Sequence, residues 1–259
     1  MKYCLGFLFL LLFLAVEIFA QTDPKFDAYL AAERANLPVQ GEVLYNGGNI
    51  GGYRFGGGSG AVKKVVDADP SMPFGKVLQL KTNQVGANSW EPQFQSPTNA
   101  IPLTQGDILF YIFYMRVIQS SNPNGDGTGI FYVQQSSSPW TGLGSSSLTF
   151  KSAWRKMYIV AHAGQDYPKN TMEFTIHLGS QAQTVEVGGI IALNLGQGID
   201  EAELPRNPLY WDGMESDAAW RAEADARIEQ HRKGDLTVVV KNQQGEWVRN
   251  GLVKVNMKK

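Results

Sequence analysis

Residues 154–196 read WRKMYIVAHAGQDYPKNTMEFTIHLGSQAQTVEVGGIIALNLG. Three strands follow one another here, at 157–161, 172–178 and 184–195, with turn-rich segments at 164–170 and 179–183 between them. Phe174, Ile176 and Leu178 alternate with Thr175 and His177, which predicts one face turned to a core and the other to solvent. Short strands joined by polar turns mean an antiparallel β-sandwich.

Upstream, the run DILFYIFYMRV at 107–117 is the longest apolar strand and follows the turn Thr104-Gln105-Gly106. Further strands are expected at 61–66 and 76–82, joined through Pro70 and Pro73, and at 130–134. The segments 83–97, 120–129 and 136–147 read as loops, because Asn, Gly, Ser and Pro crowd them. Residues 41–60 carry Gly47-Gly48, Gly51-Gly52 and Gly56-Gly57-Gly58; no GK[ST] follows, so loop and edge strand is expected rather than a phosphate cradle. At 23–34 Phe26, Tyr29 and Leu30 share one face of a short helix that Pro38 and Gly41 end.

The first twenty residues have the form of a secretion leader. Lys2 gives a basic start, 5–16 is an apolar run, and Ala20 is a small residue at which cleavage is expected. The apolar run is short for a membrane span, and no other stretch approaches the ~20 apolar residues a span needs. Cys4, the only cysteine, lies inside the leader, so the mature chain is expected without disulfides, thiolate catalysis or Cys-held zinc. The roughly 240 residues that remain are enough to bury a core of their own. Net charge is −1 at pH 7, and the leader removes one charge of each sign, Lys2 and Glu17. That near-neutrality argues against nucleic acid and anionic membrane as partners.

In the tail, Ser216 or Asp217 is placed to cap a helix whose Trp220, Ala224 and Ile228 fall on one stripe, with Gly234 at its stop. Leu236, Val238 and Val240, then Val253, Val255 and Met257, alternate as two hairpin strands around Gln244-Gly245. The organisation expected is therefore a signal peptide at 1–20, a helix and linker at 21–40, a sandwich at 41–200, a linker at 201–215 and a helix-plus-hairpin connector at 216–259. The fold class is all-β, an antiparallel jelly-roll β-sandwich followed by a short helix and a small β-hairpin.

Catalytic machinery is hard to find. Glycoside hydrolysis needs two carboxyl groups held at a fixed separation, and the chain shows neither an acidic pair in a catalytic setting nor the βαβα alternation of a barrel. His162, His177 and His231 lack metal-ligand spacing, and no nucleophile-elbow sequence is present. Sugar binding asks for less: an aromatic plane and a few hydrogen-bonding groups nearby. Trp90 in a polar loop is the first candidate, with Tyr132 as a second platform and Trp140 from another loop. Glu91, Gln134 and His177 supply donors and acceptors, His177 from the solvent face of its strand. Trp154, at a strand start, reads as core.

The order of LQLKTNQVGANSWEPQF, IPLTQGDILFYIFYMRV, WRKMYIV, MEFTIHLG and TVEVGGIIALNL resembles the carbohydrate-binding β-sandwich modules of the family 4/9/22 group. The tail, DAAWRAEADARIEQHRKGDLTVVVKNQQGEWVRNGLVKVNMKK, resembles the segment joining such a module to the catalytic barrel of secreted family-10 endo-1,4-β-xylanases. In those enzymes the barrel follows at once, whereas this sequence stops at Lys259. The resemblance implies that Trp90 stacks on sugar, and that the chain is a secreted, extracellular, non-catalytic module for xylan or a related plant cell-wall β-glycan. It further implies a monomer working beside a family-10 catalytic domain, with no cofactor. Two other readings stay open: the front portion of a xylanase lacking its barrel, and a structural or adhesive sandwich that binds no sugar. Related modules end on a strand with an acidic pair that helps hold calcium, but here Val187-Gly188-Gly189-Ile190 stands in its place. Structural calcium through that pair is not expected; backbone carbonyls elsewhere leave it open.

Overall fold

The structure, a computed structural model, describes residues 22–58, 60–208, 218–231 and 237–255. The leader expected at 1–20 lies outside them, as do Ser216, Asp217, Gly234, Leu236 and Met257 of the expected tail elements. Two compact units divide between Asn207 and Pro208.

The first unit begins with helix α1 (Phe26–Arg34) and continues through β1 (Glu42–Val43), β2 (Arg54–Gly56), β3 (Ala61–Asp67), β4 (Lys76–Thr82), β5 (Gln93–Gln95), β6 (Ile108–Ser120), β7 (Gly127–Gln135), β8 (Gly142–Phe150), β9 (Arg155–His162), β10 (Met172–His177) and β11 (Gln183–Asn194). One sheet runs β3-β4-β11-β6-β9, with β1 also on β11; the other runs β2-β5-β10-β7-β8. The strand pairings are antiparallel, so this is the expected antiparallel β-sandwich.

The main core lies between the sheets. Aromatic rings fill its middle: Phe131 stacks on Phe174 with centroids 5.0 Å apart and on Phe113 at 5.6 Å. β6 is apolar almost throughout because both of its faces are covered. Leu109, Tyr111 and Phe113 face the main core, while Ile108, Phe110 and Ile112 face a second cluster with Phe26 and Tyr29 of α1. Helix α1 thus roofs the outer side of the first sheet. Asp23, buried just ahead of it, accepts hydrogen bonds from the backbone N–H of Lys25 at 2.9 Å and Gly75 at 2.8 Å. Asp23→Ala, removing the charged acceptor of these part-buried hydrogen bonds, is expected to lower stability by about 1–3 kcal/mol, read as a reduced urea midpoint at unchanged m-value.

In β11, Gly188 pairs with Tyr114 and Ile191 with Ile112, so Gly189 and Ile190 together oppose Phe113. This is a β-bulge, with Gly189 at φ +58°. It resets the alternation: Val185 and Val187, then Ile190 and Ala192, face the main core, while Ile191 and Leu193 face the cluster under α1. The glycine pair is required by contact as well, since Phe74 packs against both positions. At the edge of the same sheet, the side-chain amide of Asn207 accepts from the Tyr158 N–H at 2.9 Å and donates to the Tyr158 carbonyl at 2.7 Å.

Three expectations are corrected. The segment 136–147 is not loop throughout, because β8 starts at Gly142; its glycines and serines hide a strand whose Leu148 and Phe150 are buried. The outward side chains of β10 do not meet solvent: Glu173, Thr175 and His177 are all buried, Glu173 against Arg54 and Gln95 and His177 against Tyr132 and Trp90. In the second unit, helix α2 (Ala219–His231) has no buried residue among those described. There the expected hairpin around Gln244-Gly245 shows one bridge among the described residues, Lys241 with Trp247, closed by a turn at 242–246. Its return limb starts at Trp247-Val248 rather than at Val253.

Candidate functional site

Cross-strand register places one set of side chains on the outer face of the second sheet. Thr175 of β10 lies opposite Gln95 of β5 and Tyr132 of β7, and these continue to Arg54 on β2 and Ser145 on β8. One rung along, His177 lies opposite Gln93 and Ile130; in the other direction, Glu173 lies opposite Gln134. Directly opposed residues point to the same side of a sheet, so this face is mostly amide, hydroxyl and charge.

Trp90 stands at one end of β10. Its loop is fastened to the residues after that strand: the Gly86 N–H donates to the Gly179 carbonyl at 2.8 Å, the Gly179 N–H to the Ser89 carbonyl at 2.9 Å, and the Leu178 N–H to the Pro92 carbonyl at 3.0 Å. Only glycine fits at 179, because a Cβ there would lie 2.5 Å from the Glu91 carbonyl oxygen. Trp90 is 47% exposed. Its ring meets His177 edge-on at 6.2 Å, and His177 lies against Tyr132 at 4.4 Å. The imidazole is buried, its Nδ1 3.4 Å from Ser89 Oγ, and burial lowers its pKa to about 4.

Of the residues singled out in the sequence, Trp90, Tyr132 and His177 form this cluster. Glu91 sits in the same loop, with its carboxylate 3.3 Å from the Asn88 amide nitrogen. Gln134 is farther along the face, opposite Glu173. Trp140 is not gathered in: it lies in the loop after Gln135, which pairs with Met172 at the opposite end of β10. The span of β10 alone, roughly 17 Å, separates the two ends. Trp154 is half-buried, its ring against Phe74 at 5.8 Å and under the Arg116 guanidinium at 4.6 Å.

The residues that sequence reasoning passed over are Glu173, Thr175, Arg54, Gln93 and Gln95. Glu173, its side chain 1% exposed, receives Arg54 at 2.8 Å and the Gln95 amide at 3.2 Å. Burial raises its pKa above the usual carboxylate value, against the opposing pull of Arg54. Beside it the Thr175 hydroxyl is buried with no hydrogen-bond partner among the described residues. A buried hydroxyl without a partner is costly. The one available signal was the period-2 placement of Glu173 and Thr175 with His177, which gives their face but not their depth.

No group of three or more His, Cys, Asp or Glu side chains among the described residues is placed to hold a metal ion. Gly188 and Gly189, where the sequence resemblance would place an acidic pair, serve the β11 bulge.

No family model matches the chain, and no curated protein does. Solved structures give weak likenesses. A CBM4 structure is 15% identical, covering 55% of this chain and 86% of its own, with a TM-score of 0.42. The second N-terminal cellulose-binding domain of Cellulomonas fimi β-1,4-glucanase C is 11% identical, covering 62% and 99%, with a TM-score of 0.45. The CBM22-1 xylan-binding domain from Paenibacillus barcinonensis is 8% identical, covering 61% and 97%, with a TM-score of 0.42. Likenesses of this size decide nothing about what the chain binds.

Proposed function

We propose that the chain is a secreted, non-catalytic carbohydrate-binding protein, and that the outer face of the second sheet holds a plant cell-wall β-glycan such as xylan. The observation that carries this is one juxtaposition. A half-exposed Trp90 stands over a tyrosine-histidine pair at the end of a face built from amides and the Arg54 guanidinium, which the buried Glu173 carboxylate holds. A pyranose offers an apolar C–H face and a rim of hydroxyls, and the two halves of this arrangement suit the two halves of the sugar.

The roles follow from the chemistry of each group. Trp90 stacks on the sugar ring. The exposed Arg54 donates, held toward the face by the buried Glu173 carboxylate, and Gln93, Gln95 and Gln134 donate and accept. The choice of xylan rests on the resemblance of the strand order and the tail. Binding would act by tethering an attached hydrolase to its polymer, which raises effective concentration without any new chemistry.

The test is affinity electrophoresis of residues 21–259 in gels with xylan, mixed-linkage β-glucan or no polysaccharide. Retardation in a polysaccharide gel is expected, with Trp90→Ala weakening it by about thirtyfold or more, the size of a hot-spot loss. Equal mobility of the folded protein in all three gels would remove the sugar-binding reading for these glycans and favour a structural sandwich.

A further inference from the structure

The backbone around Trp90 is pinned on both sides: the Ser89 carbonyl accepts from Gly179, the Glu91 N–H donates to Asn88, and the Pro92 carbonyl accepts from Leu178. What the pins leave undetermined is the direction of the indole itself. Its described ring contact is His177, which lies between it and Tyr132. His177 also reaches Ser89, the residue next to Trp90, through the 3.4 Å contact of Nδ1 with Oγ. At 7% exposure His177 is too deep to be a sugar contact.

We propose that His177 is a positioning residue: it is the post that orients the Trp90 indole for stacking, and it does so only as the neutral imidazole. The proposal rests on the carbohydrate reading above for its consequence, though not for its geometry.

A flat, uncharged ring can be packed by Tyr132 on one side and the Trp90 edge on the other without seeking water. An imidazolium brings a second N–H donor and a full charge into the same space, and the neighbouring strands have little to offer it. β5 presents Gln93, and β7 presents Ile130 and Tyr132. The charged groups around it are Glu91, in the Trp90 loop and directed to Asn88, and Glu173 on its own strand, already paired with Arg54 from β2. Burial accordingly holds the imidazole neutral down to a pH near 4. The sign is that of a depressed histidine: the neutral, indole-holding form persists above pH about 4 and is lost as pH falls through it.

The experiment uses residues 21–259 and two readouts, the NMR signal of the Trp90 indole N–H without ligand and retardation by soluble xylan, each from pH 7 to pH 3.5. His177→Ala is expected to shift the indole signal and weaken retardation at pH 7 by about tenfold, the loss of one aromatic contact. His177→Phe keeps a flat ring and cannot take a proton; it is expected to restore retardation at pH 7 and to remove the inflection near pH 4 in both readouts. Comparing wild type with His177→Phe cancels the titration of Glu173, which both share. An indole signal unmoved in His177→Ala, or the same pH profile in wild type and His177→Phe, would overturn the proposal. If xylan retards none of the proteins, the carbohydrate reading fails while the indole signal still decides whether His177 orients Trp90.

Discussion

Phe174→Ala is expected to remove about 3–5 kcal/mol of stability, more than any other single truncation in the sandwich. Phe174 is 1% exposed on the central strand of the second sheet. Its ring lies 5.0 Å from Phe131, 5.7 Å from Tyr111, 5.9 Å from Phe94 and 6.3 Å from Tyr45, so rings from both sheets and the loop after β1 meet on it. Truncation forfeits the transfer energy of the ring and leaves a cavity walled by other rings, which cannot collapse into it without abandoning their own stacking. Thermal unfolding followed by circular dichroism should show a midpoint lower by roughly 10 °C. A shift of a degree or two would mean that the ring cluster is loosely packed and that the sandwich draws its stability elsewhere.

Gly189→Ala is the second large effect, expected at about 2–4 kcal/mol. Two costs add. An L-residue at φ +58° is strained by roughly 1 kcal/mol. The new Cβ would also lie 2.5 Å and 2.7 Å from the Phe74 ring and 3.2 Å from Tyr29, so a buried ring must shift. Gly196→Ala separates the two costs, since its φ is +76° and a Cβ there meets nothing within 4 Å. Urea denaturation should place Gly189→Ala well below Gly196→Ala. Equal midpoints would show that Phe74 yields freely and that the bulge is held by backbone conformation alone.

How much of this was legible beforehand depends on how local each cause is. The inward half of β10 was readable from Phe174 and Ile176, because alternation is a property of the strand itself. Its outward half was misread, because the burial of Glu173, Thr175 and His177 is imposed by neighbours. Arg54 reaches Glu173 across 119 residues, and only the pairing order β2-β5-β10 brings them together. The apolar run of β6 announced a buried strand but not that helix α1 lies over its second face. β8 went unseen since glycine and serine carry little strand preference, and its only marks were Leu148 and Phe150. For the candidate site, Trp90, Tyr132 and His177 were visible as residue types on exposed-looking positions. That His177 underlies the other two required the docking of the Trp90 loop onto Gly179, a contact that no periodicity encodes. Trp140 shows the converse: an aromatic in a polar loop is a fair candidate by composition, and topology puts it at the far end.

The Asn207 amide on β9 has a consequence for the protein in crowded solution. A sheet ends wherever its last strand has nothing further to pair with, and an open row of N–H and C=O groups invites another chain to extend it. Asn207 satisfies both backbone groups of Tyr158 with a single side chain, imitating one peptide unit of a strand that is not there. Arg155 and Lys156 add charge on the same strand, and at the opposite margin of that sheet β3 carries Lys63, Lys64 and Asp67. The first sheet is thereby finished at both margins, by a counterfeit rung on one side and by charge on the other, which works against its growth into fibrils.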